Sequence, residues 1–288
     1  SVLMSVYNGH LARHGLVGAQ VLLVPHDFID RSQYLHARAT LVRLLELGCV
    51  PVINENDAIA SDEIRFGDND RISALVAHLV RADVLVLLTD TAGLYTADPT
   101  RDPSARLVEV VAADDPLLTV RATASGTQVG SGGMASKLAA ARIASWSGVR
   151  TVIAAASRPG VLAGAIDGAE GTGTQFLPHD RNLSARKLWI AFAAQSAGTV
   201  VVDGGAREAL TSRHSSLLHA GVLEVRGDFS AGDTVEIVGT DGAPFARGMA
   251  AVDAVRAAAA AGRTSDSLPE GVASELVHRD DLVILAAR

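Results

Sequence analysis

Short apolar runs alternate with segments of helical character through the first two-thirds of the chain, and this alternation constrains the fold more than any other feature. Residues 19–25 read as a strand followed by a helix reaching residue 47. Residues 50–54, 83–89 and 151–156 read as further strands, with a helix over about 71–80. Repeated strand–helix units of this kind predict an α/β domain built on an open, mostly parallel sheet with helices on both faces. In such sheets ligands sit beyond the carboxyl ends of the strands. The polar clusters of this chain fall there: Asn54-Glu55-Asn56-Asp57 after one strand, Thr89-Asp90 after another, and Gly67-Asp68-Asn69-Asp70 at the start of a helix.

From about residue 195 the pattern changes. Short strands at residues 199–202, 221–225, 234–238 and 282–285 are separated by Gly-Asp and Asp-Gly turns, which predicts a small β-barrel-like second domain. The expected organisation is a first domain over residues 1–180, a linker over 181–194 and a second domain over 195–288. The alanine run at 257–261 reads as plain helix, since alanine has the highest helix propensity.

Composition narrows the function classes. With 288 residues, 48% hydrophobic and 20% charged, the chain has enough length to bury a core in two domains. The net charge of −7 argues against nonspecific nucleic-acid binding. The single cysteine, Cys49, excludes an intrachain disulfide and lies in an apolar stretch as a core thiol. No run of about 18 apolar residues is present and the first residues lack the layout of a signal peptide, so a cytoplasmic location without membrane contact is expected.

The segment SGTQVGSGGMASKLAAARIA, residues 125–144, carries the sharpest chemical signal. Glycines at 126, 130, 132 and 133 let backbone N–H groups turn toward an anion, and the following helix adds the positive end of its dipole. Lys137, one of two lysines in the chain beside Lys187, places a mobile charge there. A flexible connector before an ordinary helix is the competing reading. The Walker A pattern is excluded, because Ser136 precedes the lysine and Leu138 follows it. The Rossmann variant matches Gly130, Gly132 and Ala135, but no apolar strand leads into it and the strand at 151–156 ends in Ser157 without an acidic ribose acceptor. Taken singly, Asn69 or Asp70 reads as a helix N-cap and residues 54–57 as a solvated turn. Their shared place at strand ends, together with a phosphate loop, points to one ligand site. No His, Cys and carboxylate cluster has zinc-ligand spacing, so a metal is expected to arrive with nucleotide phosphates.

Four segments, VPVINENDAIA at 50–60, FGDND at 66–70, LLTDTAGLYTADP at 87–99 and GSGGMASK at 130–137, resemble the amino acid kinase family, in the branch that acts on glutamate. SSLLHAGV at 215–222, GDFSAGDTV at 227–235 and ARGMA at 246–250 resemble the PUA domain that many bacterial members of this branch carry, and few other amino acid kinases join the two modules. The resemblance spans essentially the whole chain. It implies ATP-dependent phosphorylation of the γ-carboxylate of L-glutamate, the entry step of proline synthesis, with Mg2+ on the nucleotide, feedback inhibition by proline and a homo-oligomer. By motif, Asp57 and Asn69 would hold glutamate. Thr89 and Asp90 would border the nucleotide, and Ser131, Gly132, Gly133, Met134, Ala135, Ser136 and Lys137 would wrap its phosphates. Lys137 would neutralise charge on the transferring phosphoryl group, and Asp70 would orient lysine ammonium groups. The family's pattern begins with a strand and a Gly/Ser loop bearing another catalytic lysine, and this chain starts downstream of both, so a fragment with little kinase activity is expected.

Residue chemistry agrees with these roles. A glutamate side chain, with a pKa of about 4.3, is already an ionised nucleophile at neutral pH and needs no general base. Asp57 suits a substrate ammonium group, and Asn69 can both donate and accept. The second domain, residues 195–288, carries 13 acidic residues against 8 arginines and no lysine, a net charge of −5, and is not expected to bind RNA. The alternatives are another amino acid kinase, acting on N-acetylglutamate or carbamate, and a noncatalytic nucleotide- or RNA-binding regulator.

Overall fold

The computed structural model describes residues 2–24, 26–56, 69–113, 115, 133–179, 183–193, 196–269 and 271–285. By its internal contacts the chain divides into Ser1–Ala185 and Arg186–Arg288.

The first unit contains, in order, α1 (Val2–Leu11), β1 (Val17–Leu23), α2 (His26–Ile29), α3 (Arg31–Glu46), β2 (Cys49–Glu55), α4 (Asn69–Val80), β3 (Val84–Thr89), β4 (Val110–Val111), α5 (Gly133–Trp146), β5 (Arg150–Ala155), α6 (Val161–Asp167) and β6 (Thr174–Phe176). Among the described residues β1 and β2 form a parallel pair, with Val17 opposite Cys49 and Leu23 opposite Glu55. A second sheet has the order β3-β5-β6-β4. In it β3 and β5 run parallel from Val84–Arg150 to Thr89–Ala155, β4 and β6 are parallel, and β5 and β6 are antiparallel. The strand pairs are thus mostly parallel, with β6 and β4 running opposite to β3 and β5.

Local chemistry explains the helices. Asp30 caps α3 by accepting from the Ser32 and Gln33 amides, both at 2.9 Å. Helix α4 repeats Ile72, Leu75 and Leu79 on one face and buries all three. It packs on α5, whose buried Ala140, Ala141 and Ala144 keep the contact face small and allow close approach. At the start of β5, Arg150 donates to the carbonyls of Ala165 (3.0 Å) and Ile166 (2.8 Å), satisfying the C-terminal end of α6.

The second unit opens with a π-helical turn at Trp189–Ala193, which continues the short α7 (Ala185–Leu188). Then follow β7 (Gly198–Val202), α8 (Gly204–Arg213), β8 (Leu217–Leu218), β9 (Val222–Gly227), β10 (Thr234–Val238), β11 (Pro244–Met249), α9 (Ala254–Ala260), β12 (Glu275–Val277) and β13 (Leu282–Ile284). A five-stranded sheet in the order β13-β11-β10-β7-β9 and the pair β12-β8 enclose a core that includes Val200, Val202, Val222, Phe229, Val235, Ile237, Phe245 and Leu276. No closed barrel forms among the described residues. Asp203 and Asp253 cap α8 and α9 through the amides of Ala206 (2.7 Å) and Arg256 (2.9 Å). Arg247, opposite Glu236 in the β10–β11 register, bonds its carboxylate at 2.7 Å and reaches the Ala191 carbonyl at 3.3 Å, fastening the π turn to the sheet.

Candidate functional site

Connectivity brings three polar segments to one edge of the first unit. Helix α4 has 12 residues and leads through a three-residue turn (81–83) into β3, which has 6. At about 1.5 Å per helical residue and about 3.3 Å per strand residue both elements are close to 20 Å long, so an antiparallel return sets the start of α4 level with the end of β3. Helix α5 and strand β5 repeat the arrangement, and β5 is in register with β3. Asn69 and Asp70, Gly133–Lys137, and Thr89–Asp90 therefore share the carboxyl edge. Two helix N-termini bring their unpaired amides and positive dipole ends to it.

The α4–α5 packing closes a specific contact there. Lys137 Nζ donates to Asp70 Oδ2 at 3.0 Å and to Oδ1 at 3.3 Å, and Ser136 Oγ donates to Oδ2 at 2.9 Å. The side chains of Lys137 and Asp70 are 13% and 21% exposed, so the pair is largely shielded. Ser73 Oγ donates to the Asp70 carbonyl at 2.6 Å, fixing the first turn of α4 behind the carboxylate. The Asp70 carboxylate thus accepts from both a lysine and a serine. Both Asn69 and Asp70 lie inside the helix.

At the end of β3, Thr89 Oγ1 donates to Asp90 Oδ1 at 3.0 Å, and the Ala156 amide donates to the Thr89 carbonyl at 2.8 Å. Asp90 is exposed and Thr89 half-buried. Gly133 and Ala135 are exposed in the first turn of α5, while Met134 and Ser136 are half-buried. Asp57, Ser131 and Gly132, together with the earlier glycines of the loop, lie outside the described residues.

No three or more His, Cys, Asp or Glu side chains converge to hold a metal among the described residues. Among the described residues at this edge the Asp70 carboxylate is already engaged by Lys137 and Ser136.

One buried tertiary contact escapes sequence reasoning. Thr174, at the start of the three-residue β6, is fully buried, accepts from the Leu94 amide at 2.8 Å and donates to the Val108 carbonyl at 2.6 Å. It joins segments 80 and 66 residues away, a separation that no local pattern reports.

A family profile described as "Amino acid kinase family" matches residues 1–155. The chain belongs to the amino acid kinase family. A second profile, for the PUA domain, matches residues 198–272. Within the family the chain groups with the glutamate 5-kinases. It is 46% identical over 287 residues to that of Pseudomonas syringae pv. tomato, covering 98% of this chain and 77% of the relative. It is 47% identical over 289 residues to that of Myxococcus xanthus, covering 99% and 76%. With that of Bifidobacterium longum it shares 47% over 288 residues, covering 99% and 75%. No helix among the described residues of this amino acid kinase is long and apolar enough to cross a membrane.

Proposed function

We infer that the chain is an ATP-dependent kinase that phosphorylates the γ-carboxylate of L-glutamate to glutamate 5-phosphate, the first step of proline biosynthesis. The observation that carries the chemistry is the Lys137–Asp70 pair at the joint N-termini of α4 and α5. The likeness to glutamate 5-kinases along nearly the whole chain supports the acceptor.

In the step itself, a γ-carboxylate oxygen forms a bond to the γ-phosphorus while the bond from that phosphorus to the β,γ-bridging oxygen breaks, leaving ADP. The carboxylate is ionised already, so no proton is moved. Mg2+ bound to the phosphates neutralises part of their charge. The chain's contribution is positional and electrostatic. Lys137 stands against the charge that shifts to the transferring group. Asp70 holds Lys137 at that spot, Ser136 fixes the Asp70 carboxylate, and the first turn of α5, Gly133–Lys137, offers amides to the phosphates. Thr89 and Asp90 border the nucleotide, Ser131 and Gly132 extend the phosphate wrap, and Asn69 with Asp57 holds the amino acid. Residues 1–180 carry this chemistry, joined by 181–194 to the PUA domain at 195–288, whose acidic balance supports an architectural or regulatory role and not RNA binding. Feedback inhibition by proline, self-association and a cytoplasmic location complete the reading.

The test is ADP release on addition of acceptor, by this chain placed behind the family's N-terminal strand and lysine-bearing Gly/Ser loop, with hydroxylamine present to trap an acyl phosphate as its hydroxamate. L-Glutamate is expected to give both signals. N-Acetylglutamate or carbamate turning over at equal rates would move the chain to another branch of the family, and nucleotide binding without acceptor-dependent ADP release would favour a noncatalytic regulator.

A further inference from the structure

We propose that Thr174 is a positioning residue for nucleotide binding: its hydroxyl fixes the shape of the loop that follows β3. The proposal rests on the reading above that Thr89 and Asp90 border the nucleotide. That loop is fastened at both ends. Where it leaves β3, the Thr89 carbonyl accepts from the Ala156 amide at 2.8 Å. Where it ends, the Leu94 amide donates to Thr174 Oγ1 at 2.8 Å, and the same hydroxyl donates to the Val108 carbonyl at 2.6 Å. Residues 90–93 span the interval. Beyond it the chain pairs with segment 106–108 through the Val108 amide to the Leu94 carbonyl at 2.8 Å, the Thr96 amide to the Arg106 carbonyl at 2.9 Å and the Tyr95–Leu107 bridge. One hydroxyl thus locks β6, the loop end and segment 106–108 together.

Close packing shows how tightly the loop is held. A Cβ on Gly93 would lie 2.6 Å from Thr174 Oγ1 and 2.9 Å from the Thr174 amide nitrogen, so only glycine lets the loop reach this hydroxyl. Thr174 and Leu94 are 0% and 1% exposed, so water cannot replace the hydroxyl as partner to the Leu94 amide and the Val108 carbonyl. Thr174 itself is anchored opposite Ile153 of β5, next to the strand whose end presents Ala156 to Thr89. A change at the buried hydroxyl therefore acts on the exposed Asp90 through the loop backbone and leaves the α4–α5 contact untouched.

The experiment titrates Mg·ADP into the whole chain carrying Thr174→Val, Thr174→Ser or Gly93→Ala, with Lys137→Ala and Asp90→Ala as controls and with L-glutamate titrated separately. Thr174→Val keeps the shape and removes the hydroxyl, and is expected to weaken Mg·ADP binding about tenfold. Thr174→Ser is expected to stay within about twofold of the parent, a difference equivalent to only a few tenths of a kcal/mol, and glutamate affinity to be unchanged in both. Thr174→Val binding Mg·ADP normally while the controls weaken it would overturn the proposal and leave the nucleotide site in place. Normal binding in the controls as well would overturn the nucleotide reading and the proposal with it. Equal loss for both ligands in Thr174→Val would mark general loosening and also overturn it. If Thr174→Val fails to fold, Thr174→Ser and Gly93→Ala decide: Gly93→Ala must weaken Mg·ADP alone while the serine variant binds normally, and any other pairing overturns the proposal.

Discussion

Lys137 Nζ lies 3.0 Å from Asp70 Oδ2, although 67 residues separate them in the chain, and the contact exists because α4 and α5 pack side by side with their N-termini level. An ammonium held by a carboxylate that a serine in turn fixes, at two helix N-termini, is prepared in advance for a phosphoryl group, which lowers the reorganisation needed when charge shifts.

Lys137→Ala is expected to lower kcat by about 10²–10³, the usual loss for one preorganised donor to developing charge. The fold should persist, because the buried Ala140, Ala141 and Ala144 of α5 are unchanged by loss of the ammonium. Steady-state kinetics with circular dichroism checks both parts, and near-normal kcat would return the loop to a simple connector.

Asp70→Asn should lower kcat by a similar order of about 10² while nucleotide affinity changes less, since Lys137 remains but loses its fixed orientation. A pH–rate profile with an acidic limb in the parent that disappears in the variant would instead indicate that Asp70 accepts a proton from substrate.

Asn69→Ala or Asp57→Ala should weaken glutamate binding far more than ATP binding, because a site built to hydrogen-bond a substrate discriminates strongly once a partner is lost. Separate titrations of the two ligands measure it. Equal loss for both would point to damage in α4.

How much of this was legible from sequence differs element by element. The strands β2, β3 and β5 and helix α4 announce themselves through apolar runs bounded by polar clusters, and observed bounds differ from expectation by one or two residues. The first strand begins earlier than expected, at Val17, because pairing with Cys49 of β2, and not local composition, sets its start. The strand β6 was missed because three residues carry no readable period. Helix α8 was missed because Gly204 and Gly205 read as a turn, although the Asp203 cap before them was a usable sign. At the site, residue types and motifs pointed to Lys137 and Asp70 separately. Their bond depends on helix packing, and Thr174 depends on tertiary contacts alone.

The second unit should lose stability as pH falls below neutrality. His219 is 1% exposed with Nε2 at 3.1 Å from the Ala273 carbonyl, and burial holds its pKa below the ordinary value. An unfolded histidine titrates near about 6.5, so between that value and the lower folded pKa the unfolded chain binds more protons. Stability is therefore complete above the unfolded pKa and declines as pH drops through the folded one. Melting curves from pH 7.5 to 5.5 should show a steeper loss for the parent than for His219→Gln, which keeps a donor and removes the titration. Parallel curves would assign the decline elsewhere.

With 13 acidic residues against 8 arginines, residues 195–288 should not retain RNA in a gel shift at physiological salt. Tight, salt-sensitive binding would show that a local basic face outweighs the overall charge.

The most direct test of the central claim is acceptor-dependent ADP formation, read in parallel for this chain placed behind the family's N-terminal strand and lysine-bearing Gly/Ser loop and for the same protein with Lys137→Ala. The account predicts ADP and a trapped hydroxamate with L-glutamate, little with N-acetylglutamate or carbamate, and loss of the glutamate signal in the variant. Turnover that ignores the acceptor, or that survives removal of the lysine, would contradict it.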